Sequence, residues 1–322
     1  MRAKTVAFFL TLASPVLASD LRLQPVIDCT PGRDCFVQQY MDHDSGPGAR
    51  DHRCGKLTYN GHDGTDFALP DRAAMNRGVT VRAGAGGVVV GARDGMEDRI
   101  YSPAFNDAVQ GRECGNGVVI EHFDGWETQY CHLRKGSVTV RTGDRVVVGD
   151  KLGEVGLSGQ TEFPHLHLSV RRNGIAVNPF APKTPQSCDP NLADRPLWID
   201  PPDYAPGGVI SIGFTDSLPD FDQIKAGNLS RPMMSTDAVA IVLFGFGYGG
   251  LKGDRIHLFL SGPAGTVIDH TDILPRDRAQ FFRAAGTRLR GTSWAPGNYR
   301  ARVAIERDGH LLDLREDTLE IR

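Results

Sequence analysis

Short Val-rich segments separated by turn sequences recur from Gly78 to Val177, and they restrict this chain to a β-rich fold. The segments share β-branched residues and strand-like lengths, and they are Val79–Val81, Gly87–Gly91, Val118–His122, Thr128–Leu133, Val138–Val140, Val146–Val148 and His165–Val170. Between them, Asp124-Gly125 and Asn173-Gly174 are pairs typical of β-hairpin turns. The 38 glycines and 20 prolines of the chain also favour tight turns over a helix bundle. We predict a mainly β protein whose first unit is an antiparallel β-sheet domain.

A proline-rich stretch near the middle of the chain marks a boundary between two folded units. Prolines at positions 179, 182, 185, 190, 196, 201, 202 and 206 would interrupt any strand or helix there. Beyond them, β-type runs occur at Val209–Phe214, Ala238–Phe246, Arg255–Ser261, Tyr299–Glu306 and Thr318–Ile321. We predict a linker at residues 182–206 and an immunoglobulin-like β-sandwich at 207–322. A short helix is expected at Pro275–Ala285, because Gly286 follows it as a helix-ending residue.

The first eighteen residues have the composition of a secretory signal peptide. Arg2 and Lys4 precede an apolar stretch that ends in Val16-Leu17-Ala18 and is too short to span a bilayer. A buried amphipathic first helix is the alternative interpretation. We therefore expect a signal peptide at residues 1–18 and a mature protein that is periplasmic or secreted.

All six cysteines follow the predicted signal peptide, and an even number in an exported chain indicates disulfide bonds. They are Cys29, Cys35, Cys54, Cys114, Cys131 and Cys188. The sequence does not choose among the pairings, although Cys29 with Cys35 would close a short local loop. A zinc–thiolate site is the alternative, but the chain has no Cys-x-x-Cys pair. We expect residues 19–59 to form a loop-rich, disulfide-containing segment ahead of a domain at 60–181.

Charge and hydropathy exclude two classes of partner. The formal net charge is −3, and no run of Lys or Arg is longer than two residues, so the chain has no basic stretch for nucleic acid. No segment reaches the roughly 18 consecutive apolar residues that a membrane helix needs. We expect neither a nucleic-acid partner nor a membrane span.

Two histidines alternate with apolar residues in Pro164-His165-Leu166-His167-Leu168-Ser169-Val170. Because side chains alternate along a strand, His165 and His167 should share one face, with the leucines on the other. A surface strand with two solvated histidines would show the same pattern. Two imidazoles on one face are also suitable metal ligands.

A second histidine motif, Gly61-His62-Asp63-Gly64-Thr65-Asp66, is rich in glycine and should be a loop that enters a strand. An aspartate in such a loop often serves only to turn the backbone. Together with one histidine of the distant pair, however, His62 and Asp66 would give three zinc ligands and leave a fourth position open for catalysis.

From about Cys54 to Phe180 the chain resembles the lysostaphin and LytM family of zinc metallopeptidases, which cut peptides of bacterial peptidoglycan. The matching motifs occur in the family's order, and they are Gly61 to Asp66, Gly115 to His122, Tyr130-Cys131-His132-Leu133, Val140 to Gly156, Gly159 to Val170 and Asn173 to Pro179. Two features depart from the usual family pattern, namely Phe163 before Pro164 and an insertion at Asp94–Cys114.

The resemblance implies roles for individual residues. His62, Asp66 and His167 would bind Zn²⁺, and His132 and His165 would flank the open position. These two histidines would activate water and stabilise the oxyanion, with the division of labour left open. Tyr130 would share a face with His132 and contact substrate, or else pack across strands.

The predicted function is a zinc metalloendopeptidase that hydrolyses the cross-linking stem peptides of peptidoglycan, at a D-alanine–diaminopimelate bond or at a glycyl bond. The C-terminal sandwich would bind the wall or another cell-envelope protein. The alternative is a non-catalytic regulator that activates a cell-wall amidase, although such relatives usually lack metal ligands. A carbohydrate-binding β protein would leave the histidines unexplained. We also expect that the segment at 28–59 or the insertion covers the groove and limits activity.

Overall fold

The structure is a computed structural model that describes residues 20–183 and 195–322. The predicted signal peptide at 1–18 and much of the predicted linker lie outside these residues, as does Cys188. Within the described ranges, no helix has the length and apolar character needed to cross a membrane.

The N-terminal half is built on an antiparallel sheet, as the hairpin sequences predicted. Its strands, in chain order, are β1 (Phe36–Gln39), β2 (Thr65–Ala68), β3 (Thr80–Arg82), β4 (Gly87–Arg93), β5 (Asn116–Glu121), β6 (Trp126–Leu133), β7 (Arg145–Val146), β8 (Lys151–Glu154), β9 (His165–Arg172) and β10 (Ile175–Ala176). The main sheet has the order β1-β2-β9-β6-β5-β4-β7, with β10 paired to β9, and β3 pairs with β8. The predicted run at Val138–Val140 is not a strand, although Thr139 donates a backbone hydrogen bond to Leu152.

Helices are short throughout the described residues. They are α1 (Arg72–Arg77), α2 (Asn106–Val109) and α3 (Phe221–Ala226), with single 3₁₀ turns at Pro103–Phe105 and Phe123–Gly125. The carboxylate of Asp71 accepts the Ala74 N–H at the start of α1, and Gly78, at a φ of 85°, ends this helix.

Two disulfides of the N-terminal half have both cysteines within the described residues. Cys29 bonds to Cys35, which is the local loop that the spacing suggested, and Cys114 bonds to Cys131. The segment at 19–59 is not separate from the sheet, because β1 pairs with β2 and extends its edge.

The C-terminal half is a two-sheet β-sandwich, as predicted. Its strands are β11 (Gly208–Thr215), β12 (Met233–Met234), β13 (Ala240–Gly250), β14 (Arg255–Gly262), β15 (Gly265–Ile273), β16 (Arg278–Arg288), β17 (Gly297–Arg307) and β18 (His310–Ile321). One sheet has the order β11-β13-β16 and the other β12-β18-β17-β14-β15. Apolar residues from both sheets form one buried cluster between them.

The prediction of a helix at Pro275–Ala285 is wrong. These residues enter β16, which pairs along its length with β13, placing Phe282 opposite Phe246 and Gly286 opposite Val242. The apolar residues that suggested a helix face are therefore strand residues, and Gly286 lies inside the strand.

Strand β13 joins the two halves because both of its faces are buried. Ile241 and Leu243 face the core of the sandwich, whereas Phe246 and Tyr248 belong to the core of the N-terminal half. The ring of Tyr248 lies 4.4 Å from that of Phe36 on β1. The two halves of the chain therefore share a hydrophobic core.

Candidate metal and catalytic centre

The pairing of β2 with β9 brings two of the predicted ligands together. Asp66 lies directly opposite His167, and Ala68 lies opposite His165. Leu166 and Leu168 point to the other face and are fully buried, as the alternation predicted. The apolar residues thus fix the register that aligns the carboxylate with the imidazole.

His62 approaches the same point from the loop that precedes β2. Gly64 allows this close packing, because a Cβ atom there would lie 2.6 Å from the His167 ring. The loop is also tied to the segment ahead of it, since the Asp42 N–H donates to the His62 carbonyl at 2.8 Å.

Three donor atoms converge at distances that suit one metal ion. His62 Nε2 lies 3.2 Å from Asp66 Oδ1 and 3.3 Å from His167 Nδ1, and His167 Nδ1 lies 2.8 Å from Asp66 Oδ1. Zinc bonds of about 2.0–2.1 Å in tetrahedral geometry separate neighbouring ligand atoms by roughly 3.3 Å. The three residues His62, Asp66 and His167 therefore form a group that could hold a metal ion.

Hydrogen bonds behind the donors orient both histidines. His62 Nδ1–H donates to the Tyr40 carbonyl at 2.7 Å, so its Nε2 carries the lone pair. His167 uses the opposite arrangement, because its Nε2–H donates to Ser169 Oγ at 3.0 Å and leaves Nδ1 toward Asp66. Such outer bonds are typical of metal-binding histidines.

His132 and His165 lie beside this group, with ring centroids 4.6 Å apart. His132 Nδ1–H donates to the Ser158 carbonyl at 2.8 Å, and His165 Nδ1–H donates to the Phe163 carbonyl at 2.9 Å. Both Nε2 atoms are therefore proton acceptors, and His165 Nε2 lies 3.6 Å from Asp66 Oδ1.

His132 owes its position to a β-bulge near the end of β6. The register of β5 against β6 shifts between Asn116 and Val118, and His132 adopts a positive φ of 61°. This conformation costs a residue other than glycine roughly 1–2 kcal/mol. Two backbone hydrogen bonds stabilise this conformation. The His132 N–H donates to the Cys114 carbonyl, and the Gly156 N–H donates to the His132 carbonyl.

The bulge also explains why Tyr130 does not face the site. Simple alternation placed Tyr130 and His132 on one face, but the extra residue breaks that alternation. Tyr130 has no exposed surface, and its hydroxyl accepts the Gly84 N–H at 2.9 Å. Tyr130 is therefore a packing residue in this structure, as the alternative interpretation held, and it offers substrate no surface.

Burial keeps the two flanking imidazoles neutral. It lowers the pKa of His132 well below the usual imidazole value, and the nearby His165 and His167 lower it further. Burial also lowers the pKa of His165, against the opposing effect of Asp66. Neutral imidazoles are what proton acceptors near pH 7 require.

The charges of the metal-binding group are distributed differently. Burial alone would raise the pKa of Asp66, but His62 and His165 and the hydrogen bonds from His167 and His62 hold it well below its usual range. Burial would lower the pKa of His167, but hydrogen bonds to Asp63 and Asp66 outweigh burial and raise it to about 9. In the metal-free protein His167 is thus protonated at neutral pH.

Three neighbours of the centre were not predicted as site residues. The Tyr59 ring lies 4.6 Å from that of His62, and the Phe163 ring stacks on His165 at 4.5 Å. Asp63 lies 3.4 Å from His167 Nε2. Of these three residues, only Phe163 was marked in the sequence as unusual, because it stands where the resembled family usually has a small residue.

Comparison with known proteins shows which family part of this chain matches. Residues 60–179 match peptidase family M23. The chain is 34% identical over 126 residues to peptidoglycan DD-endopeptidase ShyC of Vibrio cholerae, covering 39% of this chain and 24% of that protein. It is also 34% identical over 130 residues to DD-carboxypeptidase/endopeptidase Mpg of Neisseria meningitidis, covering 40% and 24%. The chain thus spans about a quarter of the length of these relatives.

Other similarities cover comparable shares of the chain. Cell division protein DipM of Caulobacter vibrioides is 32% identical over 111 residues, covering 33% of this chain and 16% of that protein. Among solved structures, the catalytic domain of lysostaphin from Staphylococcus simulans is 24% identical, with a TM-score of 0.28, and the match covers 44% of this chain and 85% of that one. The family resemblance read from the motifs is confirmed, and residues 60–179 of this chain are a peptidase family M23 domain.

Proposed function

We propose that the chain is an exported zinc endopeptidase that hydrolyses peptide cross-links of bacterial peptidoglycan. The observation that carries the proposal is the convergence of His62, Asp66 and His167 within 3.3 Å of one another, beside two imidazoles with free Nε2 atoms. The relatives named peptidoglycan DD-endopeptidases support a bond between two D-configured centres, such as D-alanine–diaminopimelate.

Zinc is the cofactor that fits this donor set, because two imidazoles and one carboxylate leave one tetrahedral position open. When bound, zinc would polarise the scissile carbonyl and make water nucleophilic near neutral pH. The His62–Tyr40 and His167–Ser169 hydrogen bonds keep the two ligand imidazoles in place.

The flanking histidines would move the protons. Each Nδ1–H is already donated to a backbone carbonyl, so each Nε2 can take a proton from the attacking water. The imidazole that has taken the proton becomes a hydrogen-bond donor, able to stabilise the oxyanion or to protonate the leaving amine. His132 and His165 would divide these roles between them.

The deciding experiment is digestion of purified peptidoglycan by the mature protein and by His165→Ala, with products identified by mass spectrometry and zinc content measured in both. We expect the wild type to release cleaved cross-links and the variant to bind zinc without cleaving. A wild-type protein without zinc would refute the proposal. Zinc without cleavage, together with stimulation of a purified cell-wall amidase, would favour the non-catalytic regulator instead.

A further inference from the structure

One loop, residues 157–161, receives hydrogen bonds from both flanking histidines, and we call it the histidine-orienting loop. His132 Nδ1–H donates to the Ser158 carbonyl at 2.8 Å. His165 Nδ1 also lies 3.0 Å from Thr161 Oγ1. The direction in which the two Nε2 atoms point therefore depends on where this loop lies.

The insertion at Asp94–Cys114 contacts both ends of the histidine-orienting loop. Three backbone hydrogen bonds of 2.8–3.0 Å join the two segments, from Arg99 to Leu157, from Tyr101 to Thr161 and from Gln160 to Glu113. The approach is close enough to require glycine at position 159, where a Cβ atom would lie 2.2 Å from the Glu113 carbonyl oxygen.

Asp98 ties the loop to the end of the strand that carries His132. Its Oδ1 accepts the Leu157 N–H at 2.7 Å, and its Oδ2 accepts the Lys135 N–H at 3.0 Å. Leu157 immediately precedes Ser158, and Lys135 lies three residues after His132. One half-buried carboxylate thus links the loop to the end of this strand, alongside the hydrogen bonds from the Gly156 N–H to the His132 carbonyl and from Ser158 Oγ to the Leu133 carbonyl.

We propose that Asp98 is a positioning residue for His132, and that the insertion supports the catalytic geometry. This inference rests on the proposed peptidase function, and it is separate from the expectation that the insertion covers the groove, which stays a prediction. Without Asp98, the Leu157 and Lys135 N–H groups lose their carboxylate acceptor, and the loop is held to the strand by fewer hydrogen bonds. A displacement of about 1 Å in a catalytic group lowers turnover by roughly a hundredfold.

The test compares Asp98→Ala with Asp98→Asn and with a matched control, Asp94→Ala. Asp94 also lies in the insertion and accepts three backbone N–H groups, from Gly95, Gly136 and Val138. None of these three hydrogen bonds reaches the histidine-orienting loop. The measurements are kcat and KM on cross-linked muropeptides, zinc affinity, and the His132 Nδ1–H signal in protein labelled with ¹⁵N-histidine.

We expect Asp98→Ala to lower kcat at least about tenfold, with KM and zinc affinity near those of Asp94→Ala, and to weaken or shift the His132 signal. Asp98→Asn keeps one acceptor oxygen and should recover part of both losses. If Asp98→Ala fails to fold, the asparagine variant alone decides the question. An unchanged His132 signal with kcat equal to that of Asp94→Ala would overturn the proposal. The signal is read without substrate, so the proposal remains testable even if the wild type cleaves no peptidoglycan.

Discussion

At the scale of single residues, the five polar side chains of the centre divide into two groups by their hydrogen bonds. His62, Asp66 and His167 point donor atoms at one another, whereas His132 and His165 give their Nδ1 protons to backbone carbonyls. The first group could hold a cation, and under the proposed function the second would accept protons. Substitutions in the two groups should therefore have different consequences.

We expect His132→Ala and His165→Ala to bind zinc with near wild-type affinity while losing turnover by about 10²–10⁴-fold, the range for a general acid or base. His62→Ala should lose zinc as well as activity. The measurements are metal content after dialysis and muropeptide turnover. His310→Ala, at an exposed position on β18, is the control and should change neither.

Zinc binding should release a proton from His167. Its pKa of about 9 means that the metal-free imidazole is charged at pH 7.5, whereas a ligand must be neutral. We expect His167 to contribute about one proton per zinc at pH 7.5 and almost none above about pH 10, in addition to the proton that zinc-bound water would release. Calorimetric titration in buffers of different ionisation enthalpy measures this number.

The same pKa predicts a stability effect in the metal-free protein. A pKa raised above the usual 6.5 stabilises the fold fully below about pH 6.5, and this contribution is lost as the pH rises through about 9. Proton release by His167 on zinc binding that does not decline as the pH rises would contradict the assignment of the proton to His167.

At the scale of elements, the end of β6 carries both the bulge at His132 and the Cys114–Cys131 disulfide. The disulfide closes a loop that contains the whole of β5, and the Cys114 carbonyl accepts the His132 N–H. The other described disulfide, Cys29–Cys35, lies in the segment that precedes β1. Removal of the Cys114–Cys131 disulfide should therefore lower both stability and turnover, whereas removal of Cys29–Cys35 should lower stability alone.

We expect Cys114→Ser/Cys131→Ser to lower the free energy of unfolding by about 3 kcal/mol and to reduce turnover well below the unfolding temperature. Cys29→Ser/Cys35→Ser should cost roughly 2 kcal/mol, with turnover retained. Chemical denaturation and muropeptide assays on both double variants test this. Equal loss of turnover in the two would show that the disulfide near His132 has only a general stabilising effect.

The elements also show what could be predicted from sequence. Alternation in β9 identified His165 and His167 because each side chain on a strand faces a determined side. The bulge at His132 could not be foreseen, since a positive φ outside glycine leaves no mark in the pattern. The prediction of a helix at Pro275–Ala285 failed for a similar reason. The conformation of these apolar residues is set by pairing with β13, which is distant in sequence.

At the scale of the whole molecule, the shared core should make the two halves unfold together. Phe246 is 1% exposed, and it lies on β13 but belongs to the core of the N-terminal half. We expect Phe246→Ala to lower the free energy of unfolding by about 3–5 kcal/mol and to shift one common calorimetric transition. Leu311→Ala, at a position that is 61% exposed, is the control. Two transitions, with only the later strands affected, would contradict a shared core.

Because both faces of β13 are buried, the sandwich has no freedom to swing independently of the M23 domain. A flexibly tethered module would raise the local concentration of enzyme near an anchoring point and let it sample bonds at many distances. Here, anything that holds the sandwich would also set the orientation of the metal-binding residues. Cleavage by an anchored molecule would then be limited to bonds presented at one distance and one angle, so the spacing of strands in the wall would become part of its specificity.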